Sequence, residues 1–240
     1  MVSLIVPAWN EERLIGGTLA ALHAAARAAG EPYEIIVVDD GSTDATAGVA
    51  RRGGARVVRV EYRQIAAARN AGAAQATGEL LVFVDADTIV PGAVLSAAVR
   101  AMRDGAAGGG ARARFNRPVS PYGRLLEWTW RCIQRIGQLA AGSFIFCTRA
   151  AFQAAGGFDA TLYAAEDVVL SRRLRRIGRF VIVPGAVATS ARAVRGYSGI
   201  EALRLLAGFL VRGPSYFRTR RGPWYNRRDE ETDPTVRSRP

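Results

Sequence analysis

Residues 34–46, EIIVVDDGSTDAT, join a strand pattern directly to a helix pattern. The apolar, β-branched run Glu34–Val38 is typical of a strand that is covered on both faces. Two acids and Gly41 end this run, and Ser42 or Thr43 is a candidate N-cap for the helix that follows. The stretch therefore predicts one strand–helix unit of an α/β protein, with acidic side chains at the carboxyl end of the strand.

The same alternation extends to both sides of this unit. Further strands are expected at Val2–Pro7, Arg56–Val60 and Leu80–Val84, and helices at Glu11–Ala29, Ile65–Ala76 and Gly92–Arg103. Gly72, in the third helical segment, permits close packing on the sheet. The alternation predicts an α/β fold with a mostly parallel sheet flanked by helices, which binds its ligands at the carboxyl ends of the strands.

The pattern changes after Gly105, where a glycine-rich segment interrupts the alternation. We expect one domain over residues 1–196 that consists of two halves, divided at residue 105. A basic amphipathic helical extension is expected at 197–228, since its apolar residues recur at helical spacing between arginines. The polar residues 229–240 are expected to be a disordered tail.

The composition of the chain excludes several chemistries. All 33 cationic side chains are arginine, so the chain cannot be a Schiff-base enzyme, a Walker P-loop protein or a protein kinase. The one histidine, His23, lies in an alanine-rich run, which excludes a polyhistidine metal site and disfavours a Ser-His-Asp triad. Carboxylates, arginine, backbone amides and hydroxyls remain as the groups that can carry a reaction.

The formal net charge of +12 is concentrated at the end of the chain. Residues 1–170 carry 17 arginines and 16 acids, whereas residues 171–240 carry 16 arginines and 5 acids. A compositional bias of the genome can explain the choice of arginine over lysine, but it does not explain this distribution. An anionic membrane surface is therefore a candidate partner of the extension, whose alternative role is to pack on the domain.

The start of the chain, MVSLIVPAWNEE, lacks the basic region of a signal peptide and is typical of a buried strand. No apolar run approaches the roughly 20 residues of a membrane-spanning helix. The two cysteines lie at unrelated positions, which favours a reducing compartment. We expect a cytoplasmic bacterial protein, with peripheral attachment to the inner face of the membrane as a further expectation.

Asp85 and Asp87 directly follow the strand pattern LLVFV. Residues i and i+2 of an extended chain face the same side, so both carboxylates can point into one site. Mg²⁺ and Mn²⁺ prefer oxygen ligands and are often held by one or two carboxylates together with substrate phosphates. The alternative is a plain turn, because Asp-x-Asp after a strand is common.

Three further groups of polar residues have both a functional and a structural interpretation. Asp39 and Asp40 end the strand of the opening motif, where they either bind a nucleoside or simply form a turn. Arg69, in ARNAG, can reach a phosphate with its forked guanidinium or lie on a helix surface. Glu166 and Asp167 open a helix, where acids complement the dipole but can also take a proton from an acceptor hydroxyl.

Four motifs, in this order and spacing, resemble the family 2 glycosyltransferases of the GT-A fold. They are SLIVPAWNEE at 3–12, VVDDGSTDAT at 37–46, ARNAGAAQATGELLVFVDAD at 68–87 and GGFDATLYAAEDVVLSRRLRR at 156–176. The resemblance implies a Rossmann-like GT-A domain that transfers a sugar from a nucleotide donor, usually a UDP-sugar, with inversion and with Mg²⁺ or Mn²⁺. Residues 1–105 are then the nucleotide-binding half, and residues 106–196 are the acceptor half.

The resemblance also assigns residues to the donor site. These residues are Pro7, Ala8, Glu11, Asp39, Asp40, Arg69, Asn70 and Asp85. The first three match the loop that holds the nucleotide. One of the two adjacent acids matches the contact to the base, and Asp39 is preferred as the residue at the strand end. Arg69 and Asn70 match the diphosphate side, and Asp85 matches the acid near the ribose and donor.

For catalysis, the resemblance implies a single displacement. Asp167 matches the base that removes the proton of the acceptor hydroxyl, and Glu166 binds the acceptor or orients the base. Asp87, together with Asp85, matches the metal ligands, and the metal and Arg69 stabilise the charge that develops on the phosphate. No covalent intermediate is required, which agrees with the lack of an obvious activated nucleophile.

The chain departs from the family pattern at one place. Many relatives have a late histidine that binds the metal or the diphosphate. The matching stretch Val187–Gly196 has none, and Thr189, Ser190 and Arg192 occupy it. Arg192 or Arg195 is a candidate to assist the leaving group instead.

Three classes of function are consistent with these features. The leading class is an inverting transferase whose partners are a nucleotide-sugar donor and a sugar or lipid-linked acceptor. The second is an inactive nucleotide-sugar-binding relative that acts as a membrane-associated partner, which the presence of Asp85, Asp87 and Asp167 disfavours. The third, a nucleic-acid binder, rests on the arginine-rich end alone, and we expect no nucleic-acid partner.

Overall fold

The computed structural model describes residues 1–115, 142–190, 208 and 211–218. A seven-stranded sheet is flanked by helices on both faces. The strands are β1 (Val2–Ala8), β2 (Tyr33–Asp40), β3 (Arg56–Val60), β4 (Leu80–Val84), β5 (Gly108–Phe115), β6 (Phe144–Thr148) and β7 (Phe180–Thr189). The helices are α1 (Ile15–Ala29), α2 (Thr46–Arg52), α3 (Ile65–Gln75), α4 (Gly92–Arg103), α5 (Arg149–Ala154) and α6 (Glu166–Ile177), and a 3₁₀ helix spans Gly213–Phe217.

The strand order in the sheet is β3-β2-β1-β4-β6-β5-β7. The first four strands of this order are mutually parallel, and β5 and β7 are parallel to each other. β6 runs antiparallel to both of its neighbours, β4 and β5. The expected α/β fold with a mostly parallel sheet is confirmed, and the single antiparallel strand makes the sheet mixed.

The sheet has an apolar layer on each face. Along β1, Leu4 and Val6 join one core cluster with residues of α1 and α4, whereas Ile5 joins the opposite cluster with residues of α3 and α6. Because both faces are covered, β1 and β4 are buried along their whole length, as their largely apolar sequences predict. The carboxyl ends of these strands are therefore fixed by the core.

The predicted cap of α2 is wrong. α2 begins at Thr46, three residues after Thr43, and Ala45 before it makes no side-chain capping bond. Ser42 is used elsewhere, because its Oγ accepts the N–H of Asn10 at 3.0 Å. Asp44 Oδ1 instead accepts the N–H of Thr46 at 2.9 Å. The hydroxyl of Ser42, expected to cap α2, thus links the loop after β1 to the loop after β2.

Parts of the predicted domain organisation lie outside the described residues. They are residues 116–141 and 191–196 of the acceptor half at 106–196, the extension at 197–228, of which 208 and 211–218 are described, and the tail at 229–240. In the ranges that the structure describes, no helix combines the length and the hydrophobicity needed to cross a membrane.

α3 packs closely on the sheet at Gly72. A Cβ atom at this position would lie 2.4 Å from Ile5 Cγ2 and 2.8 Å from Val38 Cγ2, distances too short for any real contact. The expected role of Gly72 in close packing is therefore confirmed. Its consequence is that Arg69, about one turn earlier in α3, lies close to the carboxyl ends of the strands.

Replacing Gly72 with alanine is expected to destabilise the protein by about 1–3 kcal/mol, because the added methyl group overpacks a filled core. The control is Gly17→Ala in α1, where a Cβ would meet nothing within 4 Å. That change should stabilise the protein by up to about 1 kcal/mol, since alanine has the higher helix propensity. Urea unfolding of both variants checks this, and equal stabilities would contradict the packing argument.

Candidate active site

The carboxyl ends of three neighbouring strands form one side of the candidate site. Ala8 ends β1 and lies directly opposite Asp39 of β2 in the parallel register. Asp85 follows β4, which pairs with β1 on its other side. The topology thus brings Ala8, Asp39 and Asp85 together at the carboxyl ends of the strands, where α/β proteins bind ligands.

Asp39 and Asp40 lie on opposite faces of β2 and have different partners. Both oxygens of Asp40 are engaged, since they accept three N–H groups of residues 62–64 at distances of 2.6 to 2.9 Å. Asp39 accepts the N–H of Ser42 at 3.1 Å through Oδ1. Asp40 therefore holds the loop after β3, and Asp39 is the better candidate for a contact to a bound base.

The loop after β1 is tied to the loop after β2. Glu11 precedes α1 rather than opening it, and its N–H donates to Thr46 Oγ1 at 2.8 Å. The N–H of Glu12 donates to Asp44 at 3.1 Å, and Glu12 Oε2 accepts the N–H of Ala45 at 3.0 Å. These reciprocal bonds hold the expected nucleotide loop in place beside β2.

Arg69 is the centre of a buried ion cluster, and its side chain is 1% exposed. One terminal nitrogen donates to Glu166 Oε1 at 2.8 Å, and the other donates to Asp85 Oδ1 at 2.7 Å and to the carbonyl of Gly142 at 2.9 Å. Burial acts to lower the pKa of Arg69, but the two carboxylates outweigh it and raise the pKa above its usual value. Arg69 is therefore a permanent cation, and both of its terminal nitrogens are engaged by the protein.

Asp167 lies beside Glu166 in the first turn of α6, and both side chains are buried. Its Oδ1 accepts the N–H of Val168 at 2.8 Å, and a Cβ atom on Gly142 would lie 2.9 Å from its Oδ2. Burial and the charge of Glu166 raise the pKa of Asp167 to about 7, against the opposing effect of Arg69. Such a carboxyl gains and loses a proton near neutral pH, as a general base must.

Asp87 lies next to the end of β7. The backbones of Ile89 and Ala188 pair there, with N···O distances of 2.8 and 3.0 Å. This pairing brings Thr189 Oγ1 to 3.2 Å from Asp87 Oδ1, to which it donates a hydrogen bond. Thr189 thus lies beside the expected metal carboxylate, in the stretch that lacks the late histidine. Arg192 and Arg195 lie outside the described residues.

Three side chains carry candidate oxygen ligands for a divalent cation: Asp85, whose Oδ1 binds Arg69, and Asp87 and Thr189, which bind each other. Over the ranges described, no three His, Cys, Asp or Glu side chains form a group that could bind a metal by itself. Two carboxylates and a hydroxyl nevertheless match what Mg²⁺ takes from a protein when substrate phosphates supply the remaining ligands. The donor set therefore fits a hard cation bound together with a nucleotide diphosphate.

Asn70 and Gln64 bind the loop that leads to α6. Asn70 Nδ2 donates to the carbonyl of Phe158, and its Oδ1 accepts the N–H of Phe158, both at 2.9 Å. Gln64 Nε2 donates to the carbonyls of Ala160 and Leu162, both at 2.8 Å. The amide of Asn70, expected on the diphosphate side, is therefore used to position the acceptor half.

Sequence reasoning missed two residues around the site. Gln64 caps α3, accepting the N–H of Ala67, and a polar residue before an alanine-rich helix was the available signal. Arg63, in the loop that Asp40 holds, has its guanidinium 4.6 Å from the ring centroid of Trp9. No local pattern in the sequence signals this second contact, because the two residues are 54 positions apart.

Comparison with known proteins adds independent information. The family model of Glycosyl transferase family 2 matches residues 3–154, which is more than half of the chain. Undecaprenyl-phosphate 4-deoxy-4-formamido-L-arabinose transferase of Pseudomonas paraeruginosa (strain DSM 24068 / PA7) is 40% identical over 95 residues. The alignment covers 36% of this chain and 28% of the relative, so the chain spans just over a quarter of that protein.

Two solved structures have a similar fold. Mannosyltransferase PcManGT from Pyrobaculum calidifontis, in complex with GDP-Man and Mn²⁺, gives a TM-score of 0.67 at 24% identity, covering 86% of this chain and 60% of that one. S. aureus TarS 1-349, in complex with UDP-GlcNAc, gives a TM-score of 0.64 at 21% identity, and the match covers 86% of this chain and 65% of that one. The expected GT-A fold is confirmed by these similarities.

Proposed function

The chain belongs to glycosyltransferase family 2, and from that premise we propose that it transfers a sugar from a UDP-sugar to an acceptor hydroxyl with inversion at the anomeric carbon. The observation that carries the proposal is the Asp167 carboxyl, which is buried and has its pKa raised to about 7. It lies in one cluster with Arg69, Asp85 and Glu166 at the edge of the sheet where a donor would bind.

The donor binds along the carboxyl ends of β1, β2 and β4. Pro7, Ala8 and Glu11 hold the nucleotide through the loop that β2 supports. Asp39 accepts an N–H of the base, because the oxygens of Asp40 already accept backbone N–H groups. UDP is proposed since family 2 motifs usually accompany UDP-sugars, and GDP-sugars are the alternative to be tested.

The reaction is a single displacement. Ionised Asp167 accepts the proton of the acceptor hydroxyl as the oxygen of that hydroxyl forms a bond to the anomeric carbon. The bond between the anomeric carbon and the diphosphate oxygen breaks, and the electron pair leaves with the nucleoside diphosphate. Attack from the face opposite to the leaving group inverts the configuration.

Arg69 acts in this proposal through the carboxylates that it holds, and not on the diphosphate as the motifs alone implied. Its side chain is 1% exposed, and its terminal nitrogens bind Glu166, Asp85 and Gly142. It therefore fixes Glu166, next to the base, relative to Asp85 at the donor. We assign Arg69 as a positioning residue and Glu166 as the residue that orients Asp167 or binds the acceptor.

Asp85 and Asp87 would hold Mg²⁺ or Mn²⁺, with the hydroxyl of Thr189 beside Asp87. When bound, the cation would neutralise charge on the diphosphate of the donor. The acceptor is proposed to be a sugar or a lipid-linked hydroxyl compound. The lipid-linked option is supported by the name of the Pseudomonas relative, which includes undecaprenyl phosphate.

A UDP-sugar with Mn²⁺ is expected to raise the Tm of the protein by about 5–10 °C at 100-fold excess over its Kd. The estimate combines about 2.7 kcal/mol of ligand stabilisation with about 2–4 °C per kcal/mol for a chain of this size. Thermal-shift measurements with UDP-, GDP- and dTDP-sugars, each with and without Mn²⁺, identify the base and the metal requirement.

The same screen distinguishes the role of Asp39 from a general effect of charge. Asp39→Asn should lose most of the stabilisation by UDP-sugar. Glu79 is exposed and lies at the amino end of β4, away from the candidate site. Glu79→Gln should therefore keep the stabilisation by UDP-sugar. If no nucleotide sugar stabilises the protein, the site assignment is wrong, and if GDP-sugars alone do so, the UDP assignment is wrong.

A further inference from the structure

The outer face of α6 is strongly basic. Arg172, Arg175 and Arg176 are exposed, and their i, i+3 and i+4 spacing places them on one side of the helix. Ile177, which ends the same helix, is 43% exposed. An exposed aliphatic side chain at the end of a basic helix can enter the apolar part of a membrane interface.

The described C-terminal segment, residues 211–218, lies against the acceptor half. Its 3₁₀ helix contacts α6, and the carbonyl of Phe217 accepts the N–H of Tyr163 at 3.1 Å. The carboxylate of Asp159 lies 3.7 Å from Arg173 and 4.0 Å from Arg218, so it joins α6 to this segment. The segment therefore packs beside α6 and adds Arg212 and Arg218 to the arginines near that helix.

This segment also brings a further apolar side chain to the surface. Val211 is 83% exposed, more than the other large hydrophobic residues in the described part of the chain. Arg212 beside it is exposed. Arg172, Arg175, Arg176, Arg212 and Arg218, together with Ile177 and Val211, are named the basic face.

The sequence around the basic face contains few compensating acids. Residues 168–200 include seven arginines and no aspartate or glutamate. Asp159 compensates part of this charge, and the arginines still give a net positive potential that attracts anionic surfaces over about one Debye length, roughly 8–10 Å.

The basic face begins close to the candidate base. α6 starts at Glu166 and Asp167, and a rise of about 1.5 Å per residue places Arg172 roughly 7–8 Å further along the axis. A surface that binds the basic face therefore lies within about 20 Å of Asp167. Because α6 carries both Asp167 and these arginines, it would also set the distance between Asp167 and the bound surface.

We propose that the basic face binds the surface of an anionic lipid bilayer. The arginines match the charge of anionic headgroups, and Ile177 and Val211 enter the boundary between headgroups and acyl chains. A nucleic acid would match the charge but would gain nothing from exposed aliphatic side chains. The inference goes beyond the proposed reaction and does not depend on it, because binding is measured without donor or acceptor.

The test uses the full chain and vesicles of phosphatidylcholine with or without 30% phosphatidylglycerol, for example by co-sedimentation. The protein should bind the anionic vesicles alone, and 0.5 M salt should release it. Arg172→Gln/Arg175→Gln/Arg176→Gln should lower the partition coefficient about 100-fold, since each arginine near the surface contributes about fivefold. Arg51→Gln/Arg52→Gln/Arg59→Gln, an equal charge change at exposed sites elsewhere, should lower it much less.

A second variant separates the bilayer from other polyanions. Ile177→Ser should weaken binding to anionic vesicles several-fold and leave any binding to duplex DNA unchanged, with an unaltered Tm as evidence of intact folding. The proposal is overturned if the α6 triple variant binds vesicles as the wild type does. It is overturned as well if the protein binds duplex DNA more tightly than vesicles and Ile177→Ser affects neither.

Discussion

Asp167→Asn is expected to lower the turnover of sugar transfer by about 10²–10⁴-fold, the usual contribution of a general base. Asparagine has nearly the same shape but cannot accept the proton of the acceptor hydroxyl. Donor affinity should change little, because Asp167 lies in α6 and not among the strand ends that hold the nucleotide. Release of nucleoside diphosphate measures turnover, and thermal shift with donor measures binding.

The pH dependence gives a second readout for the same variant. Because the pKa of Asp167 is raised to about 7, kcat of the wild type should rise about tenfold per pH unit below pH 7 and level off above it. An unfolded aspartate ionises near pH 4, whereas folded Asp167 keeps its proton up to about pH 7, so the stability of the folded state falls as pH rises from about 4 to 7. The asparagine variant should therefore be more stable than the wild type at pH 8, by a margin that disappears towards pH 4.

Asp104→Asn is the matched control, the same chemical change at an exposed residue after α4. It should leave turnover and the pH profile unchanged. Near-normal turnover of the Asp167 variant would remove that residue from the role of base. Stabilisation by donor without any turnover of the wild type would instead identify a binding protein and contradict the proposed reaction.

Arg69→Met is expected to destabilise the protein by about 3–5 kcal/mol, which corresponds to a fall in Tm of roughly 6–20 °C. The variant leaves the carboxylates of Asp85 and Glu166 without the cation that now lies 2.7 and 2.8 Å from them. Urea and thermal unfolding measure the loss. Because Arg69 opposes the rise in the pKa of Asp167, any remaining activity should have its acidic limb at higher pH.

Two further variants test whether the loss arises from unpaired charge. Arg69→Met/Glu166→Gln should recover part of the stability, since one of the two uncompensated carboxylates is removed. Arg100→Met, at an exposed position on α4, should change stability by no more than about 0.5 kcal/mol. A single Arg69 variant as stable as the Arg100 control would show that the ion cluster does not hold the site together.

Much of the nucleotide half could be predicted from periodicity. The bounds of Arg56–Val60, Leu80–Val84 and Gly92–Arg103 agree with the structure, because each segment has one clear period and a glycine, proline or acid at its end. The antiparallel direction of β6 could not be predicted, since an apolar strand pattern is the same in both directions. The cap of α2 failed because a distant N–H, that of Asn10, binds the expected serine.

In the candidate site, too, local features could be predicted from sequence and long-range contacts could not. The acids at the ends of β2 and β4 could be found from sequence, because a strand end has a local signature. The partners of these acids could not be found, since Arg69 and Glu166 are 97 positions apart and no local pattern links them. The roles of Asp40 and Asn70 likewise depend on backbone groups of remote loops.

The contact between Arg69 and Glu166 also has a consequence for biosynthesis. At about 5–20 residues per second, a ribosome needs roughly 5–20 s to add the 97 residues that separate them. During this interval the nascent nucleotide half contains Arg69 and Asp85 but lacks the second carboxylate of the cluster. We expect the emerging half to gain its full stability only when α6 has left the ribosome, so chains that end before Glu166 become substrates for cellular proteases.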